Sequence, residues 1–411
     1  MTQQKLVIIG HGMVAQRLLE HLCERPALPY SEIVVLSGEP TSAYNRILLS
    51  SWLAGDAEPE SLTLKPDEWF AEHGISLRQG NPVSRIDPDQ KQVHTGQGHI
   101  ESYDKLVLAT GSRSASLGLK GEGLEGVVGF RDLRDTRKLI EISQRNRRAV
   151  VIGGGFLGLE AAEGLRQRGM SVTLLHRGSH LLNRQLDDVG GALLARSLTE
   201  RGISIQTRTS PVALLGNHRV RAVQLNNNTL ISADLVVIAA GITPNSELGN
   251  EAGLDCDRAI LVDGRLQTSD PSIFALGECC QFDNLTFGLV DPGYQQARVL
   301  AEVLSEVVGE TDSSAVYTPD ITPTKLKISG IPIFSCGQTR PDHNTESVVW
   351  QDHSTNRYCR LLIRNQTLAG AVLFGETRDG PWYTEQIQQA TDISDFRSNL
   401  VFGPAYCEAL A

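Results

Sequence analysis

Two stretches decide the fold: Leu6-Val7-Ile8-Ile9-Gly10-His11-Gly12-Met13-Val14-Ala15, and Val150-Val151-Ile152-Gly153-Gly154-Gly155-Phe156-Leu157-Gly158. Each is a short apolar run that ends in close-set glycines. Apolar residues at helical spacing follow: Ala15, Leu18, Leu19 and Leu22 after the first, and Leu159, Ala161, Ala162 and Leu165 after the second. A buried parallel strand, a tight turn and a helix form the setting that a G-x-G-x-x-G/A phosphate loop requires. Gly10 permits the turn, Gly12 lets the backbone approach a pyrophosphate, and Ala15 is small enough for close helix–strand packing. The helix start then offers free N–H groups and a positive dipole end to the phosphates. Gly153, Gly155 and Gly158 repeat the arrangement, and Met13 and Leu157 stand where the chain enters the helices.

Working outward, each loop has a matching closing strand. Asp104-Lys105-Leu106-Val107-Leu108-Ala109-Thr110-Gly111 is echoed by Asp234-Leu235-Val236-Val237-Ile238-Ala239-Ala240-Gly241. Gly153 lies 143 residues after Gly10, and Gly241 lies 130 after Gly111. Two start signals and two end signals at similar offsets read as an internal duplication, each half a dinucleotide-binding α/β unit. The residues after the second strand of each half differ. Glu39 follows Ile33-Val34-Val35-Leu36, where a carboxylate accepts hydrogen bonds from a ribose diol. His176 and Arg177 follow Val172-Thr173-Leu174-Leu175, so the usual acid that selects NAD over NADP is missing there.

The 411 residues hold 40% hydrophobic and 21% charged side chains, a globular composition long enough for two to four domains. With 38 Lys and Arg against 48 Asp and Glu the net charge is −10, which disfavours nucleic acid or an anionic membrane as partner. No apolar run is long enough to span a bilayer, and the first one is too short for a signal peptide. Seven scattered cysteines do not form a secreted disulfide framework, so a cytoplasmic location is expected.

A third glycine site lies in Thr268-Ser269-Asp270-Pro271-Ser272-Ile273-Phe274-Ala275-Leu276-Gly277-Glu278. It resembles the second FAD fingerprint of flavoproteins with two dinucleotide domains, in which the acid holds a ribityl hydroxyl. Glu278 replaces the usual Asp. Asp291-Pro292-Gly293-Tyr294 then reads as a helix start, with Asp291 as N-cap and Pro292 as first helical residue. In that fold class such a helix start points at the flavin pyrimidine ring.

With Gly10, Glu39, Gly111, Gly153, Gly158, Gly277 and Glu278 in order, the chain resembles the pyridine nucleotide–disulfide oxidoreductase superfamily. Tyr44-Asn45-Arg46-Ile47-Leu48-Leu49-Ser50, Thr324-Lys325-Leu326-Lys327 and Ala390-Thr391-Asp392-Ile393-Ser394 narrow this. They are similar to the flavoprotein part of assimilatory NADH–nitrite reductase large subunits and to nitrate reductase electron-transfer subunits. The resemblance implies an α/β fold of the glutathione-reductase type. A discontinuous FAD domain (1–115 and 248–316) would carry an inserted NAD(P)H domain (116–247). An α+β interface domain (317–411) would follow, with a final helical region from about Trp382 to Leu400.

It further implies FAD, with NADH as reductant and NADPH left open. Gly10, Gly12, Met13, Ala15, Glu39, Arg46, Ala109, Thr110, Gly111, Gly277 and Glu278 would hold the flavin nucleotide. Gly153, Gly155, Leu157, Gly158, His176 and Gly241 would hold the nicotinamide one. Arg46, Glu160 and Lys325 would act near the reacting rings. Departures from the superfamily matter too. No C-x(4)-C or C-x-x-C pair is present, and Thr41, Ser42 and Ala43 occupy the place of a peroxidatic cysteine. Ser51 stands where related ferredoxin reductases carry a lysine.

Cys279 and Cys280 are expected to be structural, since adjacent cysteines make strained disulfides. No C-x-C or C-x-x-C spacing supplies cluster ligands, and His11, His343 and His353 are expected to face solvent. No metal site is therefore expected. The implied activity is an oxidoreductase that passes electrons from NADH through flavin to a separate redox protein, without reducing nitrite itself. A nitrate or nitrite reductase component is the first acceptor, ferredoxin or rubredoxin the second. The C-terminal domain implies a homodimer. A flavin-based redox-sensing protein is the alternative of a different class.

Overall fold

The computed structural model describes residues 4–306, 315–328 and 330–407. It divides into two compact units. The first spans Met1–Leu49, Ala57–Arg113 and Ile242–Pro319; the second spans Ser50–Asp56, Ser114–Gly241 and Asp320–Ala411.

The first unit is built on a five-stranded parallel sheet ordered Ile273–Ala275, Lys105–Leu108, Gln4–Ile9, Tyr30–Leu36, Ile75–Arg78. Leu6, Val7, Ile8, Val34, Val35, Leu106 and Val107 are fully buried, as strands covered on both faces require. Helix Met13–Cys23 packs against helix Val290–Leu304, their Leu18, Leu19, Leu22, Ala297 and Leu300 closing the core. Helix Val290–Leu304 begins earlier than its sequence suggests. Leu289 is the N-cap and Pro292 sits in the first turn, where its missing N–H has no intrahelical partner to lose.

The second unit repeats the plan. Its parallel sheet runs Ser204–Thr207, Ser171–His176, Arg148–Ile152, Leu235–Ile238, Val127–Gly129. In both sheets the strand that leads into the glycine loop is central, the second strand lies on one side and the closing strand on the other. The crevice between central and closing strands is where such sheets bind ligands.

The same unit carries a five-stranded antiparallel sheet ordered Thr324–Ile328, Ile331–Gly337, Thr367–Phe374, Arg357–Arg364, Glu346–Asp352, with helix Gly380–Gln388 against it. The expected helix to Leu400 is shorter. It stops after Gln388, where Ala390 takes a left-handed φ of 49°. Asp392 Oδ1 then accepts from the Ser394 N–H and hydroxyl, a turn that competes with helix, before a 3-10 turn at Arg397–Phe402. Buried Asp187 caps helix Asp188–Glu200 through the Gly190 N–H, and also takes the Tyr358 hydroxyl at 2.5 Å and the Arg360 guanidinium at 3.0 Å. That network ties the antiparallel sheet to helix Asp188–Glu200, which packs on the edge strand Ser204–Thr207 of the parallel sheet.

Candidate functional site

In the first unit Gly10 turns the chain with φ +98°, and a Cβ there would lie 2.3 Å from the Ala109 carbonyl oxygen. Only glycine lets the two strand ends close to this distance. Gly12 is the opposite case: a Cβ on it meets nothing within 4 Å. It caps helix Met13–Cys23 without a side-chain hydrogen bond, so the first-turn N–H groups face open space. Met13 and Ala15 are buried behind it, and Met13 Sδ accepts the Arg46 N–H at 3.3 Å.

Around this loop the structure gathers Glu39, Ala109, Thr110, Gly111, Gly277 and Glu278. Glu39 accepts from the Tyr44 hydroxyl at 2.9 Å and from the Arg46 guanidinium, which lies over the Tyr44 ring. Arg46 is thus held on Glu39. The sequence reading had kept the two apart, one on the ribose and one by the ring. Thr110 is locked by Asn245 in both directions, hydroxyl to carbonyl and amide to carbonyl, each at 2.8 Å. Glu278 accepts from Ser112 at 2.8 Å. Gln296 Oε1 receives the Gly277 N–H at 2.7 Å, while its Nε2 is buried without a partner among the described residues. An open glycine cap, unused helix N–H groups and an orphaned buried amide are what an anionic nucleotide needs, so the residues fit FAD.

Gly293 is packed on Val14, whose Cγ2 would lie 2.6 Å from an added Cβ.

The second unit offers the same cradle. Gly153 has φ +128° and approaches the Ala239 carbonyl, where a Cβ would lie at 2.2 Å. Gly158 packs on the Gly153 carbonyl, while Gly155 caps helix Phe156–Gln167 and opens to free space. Leu157 enters this helix and Gly241 follows the closing strand with φ +127°. These residues fit a second dinucleotide. His176 ends its strand with Nδ1 accepting the Gly154 N–H at 3.2 Å, and burial lowers its pKa.

Glu160 sits in the first turns of the same helix. Burial pushes its carboxyl up to about 7, held back by a hydrogen bond from the Ser50 hydroxyl. Residues 50–56 are latched to this helix: Arg168 donates to the Leu53 carbonyl and, at 3.2 Å, to that of Trp52, and Gly164 leaves room for the Leu53 side chain. Strand Thr324–Ile328, which carries exposed Lys325, packs against the helix as well. Ser50, Arg168, Asn245 and Gln296 had no role in the sequence reading. Each acts across more than a hundred residues or through a helix face, and no local pattern marks such pairs.

Cys279 and Cys280 are fully buried thiols whose pKa values burial pushes up; Cys279 Sγ donates to the Leu108 and Leu276 carbonyls. Every described cysteine is free. His343 and His353 are exposed, but His11 is not, contrary to expectation. It is buried edge-on to Phe70 with Nε2 on Gln16 Oε1 at 3.1 Å. Among the described residues no group of three His, Cys, Asp or Glu is arranged to hold a metal ion, and no helix is long and apolar enough to cross a membrane.

The sequence profile of the pyridine nucleotide-disulphide oxidoreductases matches residues 4–300. The chain belongs to this family. Residues 323–391 match the C-terminal domain of rubredoxin NAD+ reductase. The NAD(P)H nitrite reductase of Bacillus subtilis is 36% identical over all of this chain and half of its own length. The assimilatory nitrate reductase electron transfer subunit of the same organism is 37% identical over 98% of this chain and 51% of its own. The chain therefore spans about half the length of these relatives. The fold is shared with the putidaredoxin reductase of a covalent putidaredoxin complex, with TM-score 0.85, 24% identity and 99% of both chains covered.

Proposed function

We propose that the first unit holds FAD and the second receives NAD(P)H, so that electrons enter at Gly153–Gly158 and leave through the flavin to a separate redox protein. The observation that carries this reading is the presence of two nucleotide cradles of one design in one chain, without a redox-active thiol pair beside either. FAD, when bound, accepts a hydride and releases its electrons one at a time. The protein's own part is orientation and charge. The glycine loops seat the pyrophosphates, Glu39 and Glu278 offer carboxylates to sugar hydroxyls, and Glu160 presents a carboxyl on the nicotinamide side. The three-domain division, with the NAD(P)H domain inserted at 116–247 and a third domain from 317, is part of the same proposal.

The acceptor that best suits the similarity to nitrate and nitrite reductase components is a protein of that machinery. The likeness of residues 323–391 to the rubredoxin reductase domain supports rubredoxin or ferredoxin as the second choice. The FAD-loaded protein should oxidise NAD(P)H steadily with a one-electron acceptor such as ferricyanide, about two equivalents per NAD(P)H. Given nitrite or a disulfide as the only acceptor, it should consume neither. Loss of nitrite in that assay overturns the reading.

A further inference from the structure

Between strand Ser171–His176 and helix Asp188–Glu200 of the second unit, the connecting loop buries Leu181, Leu182, Leu186 and Asp187. Its inner side reaches the glycine cradle. The Leu182 N–H donates to the Gly154 carbonyl at 2.9 Å, and Leu181 Cδ2 lies within 2.8 Å of where a Gly154 Cβ would stand. The carbonyl of Gly154 shares one planar peptide with the N–H of Gly155, the cap of helix Phe156–Gln167. Holding that carbonyl therefore aims the N–H on its other side, at the place where a helix start meets a phosphate. Leu182 makes this contact with a left-handed φ of 49°, a conformation that an L side chain keeps only where its surroundings impose it.

Those surroundings include the C-terminal antiparallel sheet. Thr339 and Arg340, just past strand Ile331–Gly337, donate to the Arg184 and Asn183 carbonyls of the loop. On strand Arg357–Arg364 the side chains alternate between two faces. Cys359, Leu361 and Ile363 enter the core with Tyr383 and Ile387 of helix Gly380–Gln388. Tyr358 and Arg360 take the other face and meet Asp187, where the loop ends. Asp187 has both oxygens engaged: Oδ1 accepts the Gly190 N–H at 3.0 Å, and Oδ2 accepts the Tyr358 hydroxyl and pairs with Arg360. A carboxylate that is 1% exposed is tolerable only when so paired, which fixes the loop end to the strand. One continuous chain of contacts thus runs from the C-terminal sheet to the Gly154 peptide.

We propose that Asp187 is a positioning residue for the nicotinamide nucleotide, through which the C-terminal sheet holds the Gly154 peptide in its binding geometry. The proposal rests on the reading of the second unit as the NAD(P)H-binding one. The Tyr358 hydroxyl makes the connection to Asp187, and Arg340 supplies a second hold on the same loop. Without them the loop keeps its buried leucines but loses its fixed register against Gly154. Nucleotide affinity then falls, while the hydride step of a seated nucleotide is unchanged. The coupling is reciprocal, so a nucleotide that tightens the glycine loop also tightens the sheet.

The test compares the FAD-loaded full chain with a Tyr358→Phe/Arg340→Ala double variant and with Leu361→Val, a core substitution on the opposite face of the same strand. Calorimetric titration with 5′-ADP reads the affinity of the cradle. Anaerobic stopped-flow reduction by NAD(P)H reads the apparent Kd and the limiting rate separately. We expect the double variant to bind 5′-ADP about tenfold more weakly, with the apparent Kd for NAD(P)H raised by the same factor. Its limiting rate should stay within about twofold of the parent's, since the hydride step is untouched. Leu361→Val should melt at a lower temperature but bind 5′-ADP as the parent does. Unchanged affinity in the double variant overturns the proposal and leaves the nucleotide reading standing. An equal loss of affinity in Leu361→Val traces the effect to general loosening of the sheet and overturns the role of Asp187. Failure of the parent to bind either 5′-ADP or NAD(P)H overturns the proposal together with the reading beneath it.

Discussion

A methyl group added at Gly12 should strip FAD from the protein while leaving it folded, whereas the same methyl at Gly10 should strongly destabilise the first unit. The two glycines are neighbours in one loop, but their surroundings differ. Gly10 has φ +98°, and its added Cβ would stand 2.3 Å from the Ala109 oxygen, a backbone atom fixed by the parallel sheet. Neither strand can move without breaking the ladder, so Gly10→Ala should cost on the order of 3–5 kcal/mol. Gly12 has φ −100°, which any residue adopts, and its Cβ would meet nothing within 4 Å. Gly12→Ala should lose only about 0.5–1 kcal/mol as an N-cap. The space it fills is the side from which a pyrophosphate reaches the helix N–H groups. The ratio of flavin to protein absorbance and the thermal midpoint by circular dichroism separate the two effects. A Gly12→Ala protein that keeps stoichiometric FAD contradicts this assignment of the first cradle.

The second large effect concerns Glu160. Its carboxyl is pushed up to about 7 by burial, and the Ser50 hydroxyl offsets part of that. Of its neighbours in sequence, Glu163 is already engaged by Arg166 at 2.8 Å, and the short helix bearing Ser50 has no charged residue. The folded-state value lies above the ordinary one near 4.5. The stability contributed by the protonated form is therefore complete below about pH 4 and is lost as pH rises through about 7. The span corresponds to about 3 kcal/mol. Glu160→Gln should match the parent at pH 4.5 and exceed it by several degrees in melting temperature at pH 8. The variant also bears on rate. A nicotinamide ring that loses hydride becomes cationic, and an ionised carboxylate nearby favours that charge. Single-turnover flavin reduction in the parent should rise through pH 7, and in Glu160→Gln it should stay flat. A parallel pH profile in both proteins would show that Glu160 is not the titrating group.

Much of this was legible in the sequence because the decisive signals are local. An apolar run, a glycine spacing and a helical period specify strand, turn and helix in one stretch, and the repetition after Val150 turned a weak signal into an architecture. The closing strands at Lys105–Leu108 and Leu235–Ile238 carried the same local signature. What escaped was set by tertiary pairing. Arg46 clasping Glu39, Asn245 locking Thr110 and Ser50 meeting Glu160 are pairings that only the folded chain creates. His11 was misplaced for a related reason: it stands between two glycines of the loop, and the residue that covers it, Phe70, is remote in sequence. The end of helix Gly380–Gln388 was missed because the apolar period continues past it, while the left-handed Ala390 and the Asp392 turn break the hydrogen-bond ladder.

The central claim is that reducing equivalents enter at the second glycine loop and reach a flavin held by the first. It is tested most directly by anaerobic stopped-flow mixing of the FAD-loaded protein with NAD(P)H, in parallel with a Gly155→Val variant. Gly155 opens to free space with an extended backbone, so the variant should fold and retain FAD. Flavin absorbance in the parent should bleach at a rate that saturates with NAD(P)H concentration. The variant should bleach with dithionite but not with NAD(P)H. Equal bleaching of both proteins by NAD(P)H, or none in the parent with either NADPH or NADH, would contradict the account.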